Sequence, residues 1–296
     1  QYMLMIFYKL MNMNKILSKE NENLEFVAER YFDTYSKATP FPHAVFENFF
    51  DENFLNKVLD EFPDLSKTQN SQVYMNKNEI KYANNDYDNF PSSIKSFFDF
   101  LNSDYYIKFL QKITATKEKL VADTELNGGG LHEIKKGGIL KIHTDFNKHP
   151  NLDLDRRVNV LIYLNKKWEK DYGGNLELWD RNMKSCDKKI LPIFNTMVIF
   201  STNDFSNHGH PQPVICPSNI SRKSIALYYF SKGRPKEELN DVNIKNKTYF
   251  KNRIGFIEET GTKKDKFKNV LRKFKLYKML KNFEKKFIRK KTKKTN

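Results

Sequence analysis

The stretch Ile139-Leu140-Lys141-Ile142-His143-Thr144-Asp145 decides how the rest of the chain is read. In an extended strand residues i and i+2 point to the same face, so His143 and Asp145 present an imidazole and a carboxylate side by side. Comparable β-rich runs lie on both sides of it, at 130–134, 158–164, 176–179, 196–200 and 224–230, separated by Gly, Asn, Asp and Pro. Several alternating strands at about ten-residue spacing predict a sandwich or barrel. The arrangement that fits best is a double-stranded β-helix of the jelly-roll or cupin kind.

Upstream of residue 125 the texture is helical. Leu24, Phe26, Val27 and Tyr31 recur at helical period until Pro40 and Pro42 break the pattern. A short strand at 44–46 is then followed by a helix capped by Asp51, with Phe54, Leu55, Val58, Leu59 and Phe62 on one face and a stop at Pro63. Residues 66–90 are polar and aperiodic, which reads as an exposed loop or a substrate lid. Helical period returns over 92–112, where Ile94, Phe97, Phe98, Phe100, Leu101, Tyr105, Phe109 and Leu110 form a face suited to packing on a sheet. The expected fold class is therefore α+β with a mainly β core, flanked by N-terminal helices.

Charge divides the chain further. The formal net charge is +16, yet residues 263–296 hold 16 Lys or Arg against only Asp265 and Glu284. That tail carries +14 of the total, so residues 1–262 are close to neutral. Within it Phe267, Val270, Leu271, Phe274, Tyr277, Leu280, Phe283 and Phe287 recur at helical spacing among lysines, the pattern of a basic amphipathic C-terminal helix. Such a helix either binds an anionic partner, a membrane surface or nucleic acid, or docks its apolar stripe on the body. The expected organisation is a loosely ordered leader at 1–22, one domain at 23–240 (helical support 23–124, β core 125–235), and a linker with the basic tail at 241–296.

Several classes are excluded. The 25 Phe and 15 Tyr argue against a disordered chain. Cys186 and Cys216 are too few for a disulfide framework and lack zinc spacing. No run of about 18 apolar residues exists to span a membrane, and the apolar stretch at 2–10 lacks a cleavage site, so a reducing cytoplasm is the expected compartment. The triple glycine Gly128-Gly129-Gly130 is not followed by the Lys and helix of a nucleotide site.

What remains is metal chemistry. One imidazole and one carboxylate are two of the three groups of a facial triad, which covers one face of an iron(II) octahedron and leaves positions open for oxygen. Downstream, after the strand ending at Phe200, come His208-Gly209-His210 and then Arg222-Lys223-Ser224 opening an apolar strand. That order would bring His208 beside the first pair and set a guanidinium deeper in the barrel. His208 and His210 are themselves i and i+2, so either can be the third ligand. Of the other histidines, His43 reads as structural, His132 as a packed residue able to face the site, and His149, in the charged loop 146–156, as solvated.

Over residues 125–235 the sequence resembles the iron(II)- and 2-oxoglutarate-dependent dioxygenases of the prolyl 4-hydroxylase type. The ordered motifs are Gly137-Gly138, His143-Thr144-Asp145, Arg157-Val158-Asn159-Val160-Leu161-Ile162-Tyr163-Leu164-Asn165 with Trp168, Gly173-Gly174-Asn175-Leu176-Glu177-Leu178, and the stretch from His208 to Arg222. The resemblance implies iron bound by His143, Asp145 and a distal histidine. The spacing from Phe200 and the following Gly209 favour His208 for that role, with His210 as the alternative. It also implies that Arg222 pairs with the distal carboxylate of 2-oxoglutarate, a planar fork meeting a planar acceptor, supported by Tyr163 and Ser224. Fe(II), 2-oxoglutarate and O2 follow as cofactors and co-substrates, with ascorbate as an optional addition.

The activity so implied is hydroxylation of an unactivated C–H bond, with a prolyl residue of a protein as the leading substrate. A small-molecule hydroxylase of amino acids, sugars or natural products is the second reading. A non-catalytic metal-binding module acting through the basic tail is the third.

Overall fold

The computed structural model describes residues 16–239 and 247–256. Apart from Phe256 these belong to the first of two compact units, residues 1–255 and 256–296. The basic tail at 263–296 lies outside the described residues. So does the first part of the expected leader. Residues 16–22, however, belong to the body: Ile16 and Leu17 are buried, and Leu17 bridges Phe50.

Among the described residues four α-helices support the sheet: α1 (Leu24–Ser36), α2 (Glu52–Asp60), α3 (Ser92–Leu101) and α4 (Asp104–Thr114). Their starts are written in the sequence. The side chain of Asn23 accepts from the Phe26 N–H and that of Asp51 from the Phe54 N–H, each satisfying a donor that the first helical turn leaves free. The helical pattern over 92–112 is divided between two of them, α3 and α4. After Leu101 the chain turns at Asn102 and Ser103, and the Ser103 hydroxyl accepts from Tyr106 N to cap a second helix.

The strands of the described residues are, in chain order, β1 (His43–Glu47), β2 (Gln72–Met75), β3 (Glu79–Asn84), β4 (Val121–Ala122), β5 (Gly130–Ile134), β6 (Ile139–Thr144), β7 (Asp155–Tyr163), β8 (Leu176–Trp179), β9 (Cys186–Ile190), β10 (Thr196–Ser201), β11 (Asn207–His210), β12 (Arg222–Ser231) and β13 (Tyr249–Phe250). All pair antiparallel in the order β1-β10-β7-β12-β5-β3-β6-β11-β8-β9, with β2 on β3, β4 on β12 and β13 on β6. This is the expected double-stranded β-helix. Residues 66–90 are not a loop or a lid as a whole. They hold the β2–β3 hairpin, and β3 bridges the two halves of the sheet by pairing with both β5 and β6.

Strand alternation sorts the side chains of β7, β10 and β12 into two sets. Val158, Val160, Ile162, Met197, Ile199, Ile225, Leu227 and Tyr229 pack with Phe49, Phe97, Phe98, Phe109 and Leu110 in one core under the helices. Burying each such side chain contributes roughly 1.5–3 kcal/mol. Asn159, Tyr163, Val198, Phe200, Ser224 and Tyr228 take the opposite face, where Tyr163, Val198 and Phe200 meet Leu176, Leu178 and Ile190 of β8 and β9. The helices therefore fix one face of the sheet so that the other can be polar inside.

Candidate metal and anion site

His143 is the next-to-last residue of β6, Asp145 lies just past its end, and β11 lies antiparallel beside β6 with His208 opposite His143. The imidazole nitrogens of the two histidines and a carboxylate oxygen of Asp145 lie within 4.8 Å of one another. His143 Nε2 is 3.5 Å from Asp145 Oδ1, and His208 Nε2 is 3.4 Å from Asp145 Oδ2. These side chains are only 5%, 7% and 8% exposed for His143, His208 and Asp145.

The rings are aimed from behind. His143 Nδ1 bonds the Lys141 carbonyl at 2.8 Å and His208 Nδ1 the Ser206 carbonyl at 3.0 Å, which puts the proton on Nδ1 and turns each Nε2 lone pair toward the carboxylate. The rings stand 4.5 Å apart, with Phe200 edge-on to His208 and Phe250 of β13 against His143. Two nitrogens and one carboxylate oxygen, held this way, can take one divalent metal on a single face.

The same strand pair separates His208 from His210. The register slips between them, so that two steps along β11 match three along β6, from His143 to Leu140. Gly209 allows the close approach this needs, because a Cβ there would sit 2.7 Å from the Leu140 and Lys141 carbonyl oxygens. His208 enters the metal-sized cluster and His210 does not.

Asp145 has partners that sequence reading missed. Asn159 Nδ2 donates to its Oδ2 at 2.7 Å, and Arg156 Nη2 forms an ion pair with the same oxygen at 3.1 Å. Arg156 is fully buried, donates from Nε to Asn159 Oδ1, and lies over the Tyr228 ring with the Phe146 ring also within cation–π reach. Thr202 donates to the same Asn159 oxygen. Burial alone would raise the Asp145 pKa. The Arg156 charge and the smaller contributions of His208 and His143 together outweigh it and hold the carboxyl well below its usual range. Burial, opposed by Asp145, pushes His208 down to about 4 and keeps it neutral at neutral pH, the form a metal requires. Asn159 sits inside the Arg157–Asn165 motif but reads there as one more strand residue. Arg156 had been folded into a charged loop.

The second half of the site is built on β7 and β12. Arg222 is buried, donates from Nε to the Gly174 carbonyl at 2.8 Å and from Nη2 to the Tyr163 hydroxyl at 3.3 Å, and lies over the Tyr163 ring. Gly174 has φ +69°, and a Cβ there would meet Arg222 Cδ at 2.9 Å, so the glycine makes the room. Ser224 pairs with Tyr163 across the two strands and is buried beside it. Among the described residues no acid forms an ion pair with Arg222. Burial lowers its pKa and nothing but the Tyr163 hydroxyl opposes this. A buried guanidinium without a counter-ion is costly, which suits a cavity that receives an anion.

His43 is structural, as expected, with Nδ1 on the Phe41 carbonyl. His149 is not solvated. It is buried with Nε2 at 3.4 Å from Asp123 Oδ1, and Nδ1 accepts from the Asn151 and Leu152 N–H groups. Its loop is folded back by the ion pair of Lys148 with Asp155. His132 lies on β5 between Ala83 and Ser224. Burial first, then the charges of Lys81 and Arg222, lower its pKa to about 3.

Residues 129–230 match the model of the 2OG-Fe(II) oxygenase superfamily. The mouse (Mus musculus) prolyl 3-hydroxylase OGFOD1 is 29% identical over 79 residues, which cover 25% of this chain and only 14% of that protein. Among solved structures, a Trichoplax adhaerens prolyl hydroxylase in complex with a hypoxia inducible factor peptide fragment superposes with a TM-score of 0.50 at 18% identity, over 74% of this chain and 96% of that one. A Pseudomonas putida prolyl-4-hydroxylase gives 0.50 at 13% identity, over 72% and 100%. Both likenesses establish the double-stranded β-helix. No helix of the described residues is long and apolar enough to cross a membrane.

Proposed function

We propose that this chain, whose residues 129–230 match the model of the 2OG-Fe(II) oxygenase superfamily, hydroxylates an unactivated C–H bond with His143, Asp145 and His208 as the iron ligands and Arg222 as the anchor of 2-oxoglutarate. The observation that carries this reading is the pairing of a buried His-Asp-His cluster with a buried arginine that, among the described residues, has no acid to pair with. When bound, the iron supplies the oxidative decarboxylation of 2-oxoglutarate by O2, which yields succinate and CO2 and places one oxygen atom on the substrate carbon.

The chain's own residues prepare that chemistry. The Lys141 and Ser206 carbonyls hold the two imidazoles with Nε2 toward the metal position. Asn159 and Arg156 fix the Asp145 carboxylate and keep it ionised. Arg222, with Tyr163 beside it, supplies a charge-assisted pair for a carboxylate, and the surrounding apolar side chains of β8, β9 and β10 exclude water.

For the substrate we favour a prolyl residue of a protein, on the likeness to the prolyl 3-hydroxylase OGFOD1. A second reading, a small charged metabolite, has one observation in its favour. The metal cluster is deeply enclosed, and Lys81, paired with Glu79 at 3.4 Å, faces it from β3. Succinate release from 2-oxoglutarate with Fe(II) and ascorbate, run against peptide and metabolite pools with His143→Ala as control, tests both. Release stimulated by proline-containing peptides supports the first reading, and stimulation only by metabolites supports the second. An absence of iron-dependent release in every pool, with the fold intact, would remove the oxygenase reading.

A further inference from the structure

With Arg222 assigned to a carboxylate, one buried polar side chain on the inner face is left without a task. His210 is 3% exposed. Among the described residues neither Nδ1 nor Nε2 has a hydrogen-bond partner, the Gln212 backbone standing near the ring without reaching bonding geometry. Native structures seldom leave a buried nitrogen unsatisfied, because its lost hydration is returned only by a partner. The register slip at Gly209 has already taken His210 out of the metal cluster.

Its surroundings indicate what that partner is. The charged groups that act on the ring are, in order of strength, Arg222, Lys81 and His143. His210 therefore stands within reach of the field of both the arginine and a metal ligand, the two groups that 2-oxoglutarate would join. A second orphaned nitrogen belongs to the same region. His132 is partly exposed as a residue, yet its Nε2 is shut off from solvent and unpartnered. His132 pairs with Ser224, the neighbour of Tyr163, and feels Lys81 and Arg222. Unsatisfied nitrogens of two imidazoles, from β5 and β11, thus accompany one buried arginine that has no acid partner among the described residues. One polar anionic ligand would serve all three.

We propose that His210 is a further co-substrate-binding residue, its ring N–H donating a hydrogen bond to the 2-oxoglutarate that Arg222 anchors. The inference rests on the reading of this cavity as the 2-oxoglutarate pocket. A neutral imidazole has one N–H to give and no charge to add. It would therefore strengthen binding and fix orientation without competing with His208 for the metal.

The test is calorimetric titration of 2-oxoglutarate into the Mn(II)-loaded full chain, with O2 and substrate absent so that nothing turns over. His210→Val is expected to raise the dissociation constant about tenfold, the effect of one hydrogen bond to a charged acceptor. His210→Gln, which retains an N–H, is expected to stay within about threefold of the wild type. Mn(II) affinity is expected to be unchanged in both. His210→Leu, nearer in volume, takes the place of the valine variant if that one does not fold. Undiminished 2-oxoglutarate affinity in the apolar variants would assign the two nitrogens to water and overturn the inference. Loss of Mn(II) binding would overturn it differently, by making His210 a ligand. A wild type that binds Mn(II) but not 2-oxoglutarate would instead sink the pocket reading, and the inference with it.

Discussion

The two faces of β7, β10 and β12 are made from alternate residues of the same strands and could hardly differ more. Toward the helices stand Val158, Val160, Ile162, Ile199, Ile225 and Leu227, all apolar and closely packed. Toward the interior stand Asn159, Tyr163, Ser224 and Arg222, each polar, each buried, and each with a specific neighbour. Shifting any of these strands by one residue would exchange the sets and destroy both the core and the site. The apolar face thus does more than stabilise the fold: it fixes the register that aims the polar one.

The sharpest break of this comparison is on the helix side. Leu227→Ala removes a fully buried side chain and is expected to cost about 2–5 kcal/mol in unfolding free energy, measured by urea denaturation. Metal affinity of the folded fraction should be unchanged. Weakened metal binding in that variant would mean that the two faces are not separable.

A smaller effect is expected inside. Asn159→Ala removes the donor to Asp145 Oδ2 and the acceptor of Arg156 Nε. It should weaken metal binding by about 10–100-fold, as loss of a group that orients a ligand does. Titration with Mn(II) reads this directly. A variant with wild-type affinity would leave Arg156 alone as the group that fixes Asp145.

The smallest effect is one of pH. His132 has a folded pKa of about 3, below its ordinary 6.5. A histidine with a lowered folded value is held neutral by the fold. Its contribution to stability is therefore complete above about 6.5 and is lost as pH falls toward 3, at up to about 1.4 kcal/mol per pH unit. Unfolding free energies measured between these limits should fall less steeply in His132→Asn than in the wild type. Parallel curves would show that the ring is not enclosed.

How much of this the sequence disclosed follows from the same contrast. The helix-side face was legible because apolar residues at period 2 have one physical reading, and so was the cap at Asp51. The cluster of His143, Asp145 and His208 was legible because its residue types are chemically specific. Hidden were the features that depend on a partner distant in sequence. The β2–β3 hairpin was masked because Glu79 and Lys81 face inward as a pair, and that breaks the apolar alternation. The division between α3 and α4 was visible in principle at Asn102-Ser103-Asp104, a turn followed by a capping serine. The burial of His149 depends on Asp123, and the role of Arg156 on Asp145 and Tyr228; local pattern shows neither. Spacing from Phe200 already favoured His208 over His210, but the register slip at Gly209 that carries His210 away from the cluster is not visible in the sequence.

The central claim is that His143, Asp145 and His208 together hold one metal ion. Titration of the metal-free chain with Mn(II), wild type beside His208→Ala, tests it most directly. The account requires a single ion per wild-type chain and loss of that binding in the variant, with helical and strand content retained by circular dichroism. Undiminished binding by His208→Ala would contradict it.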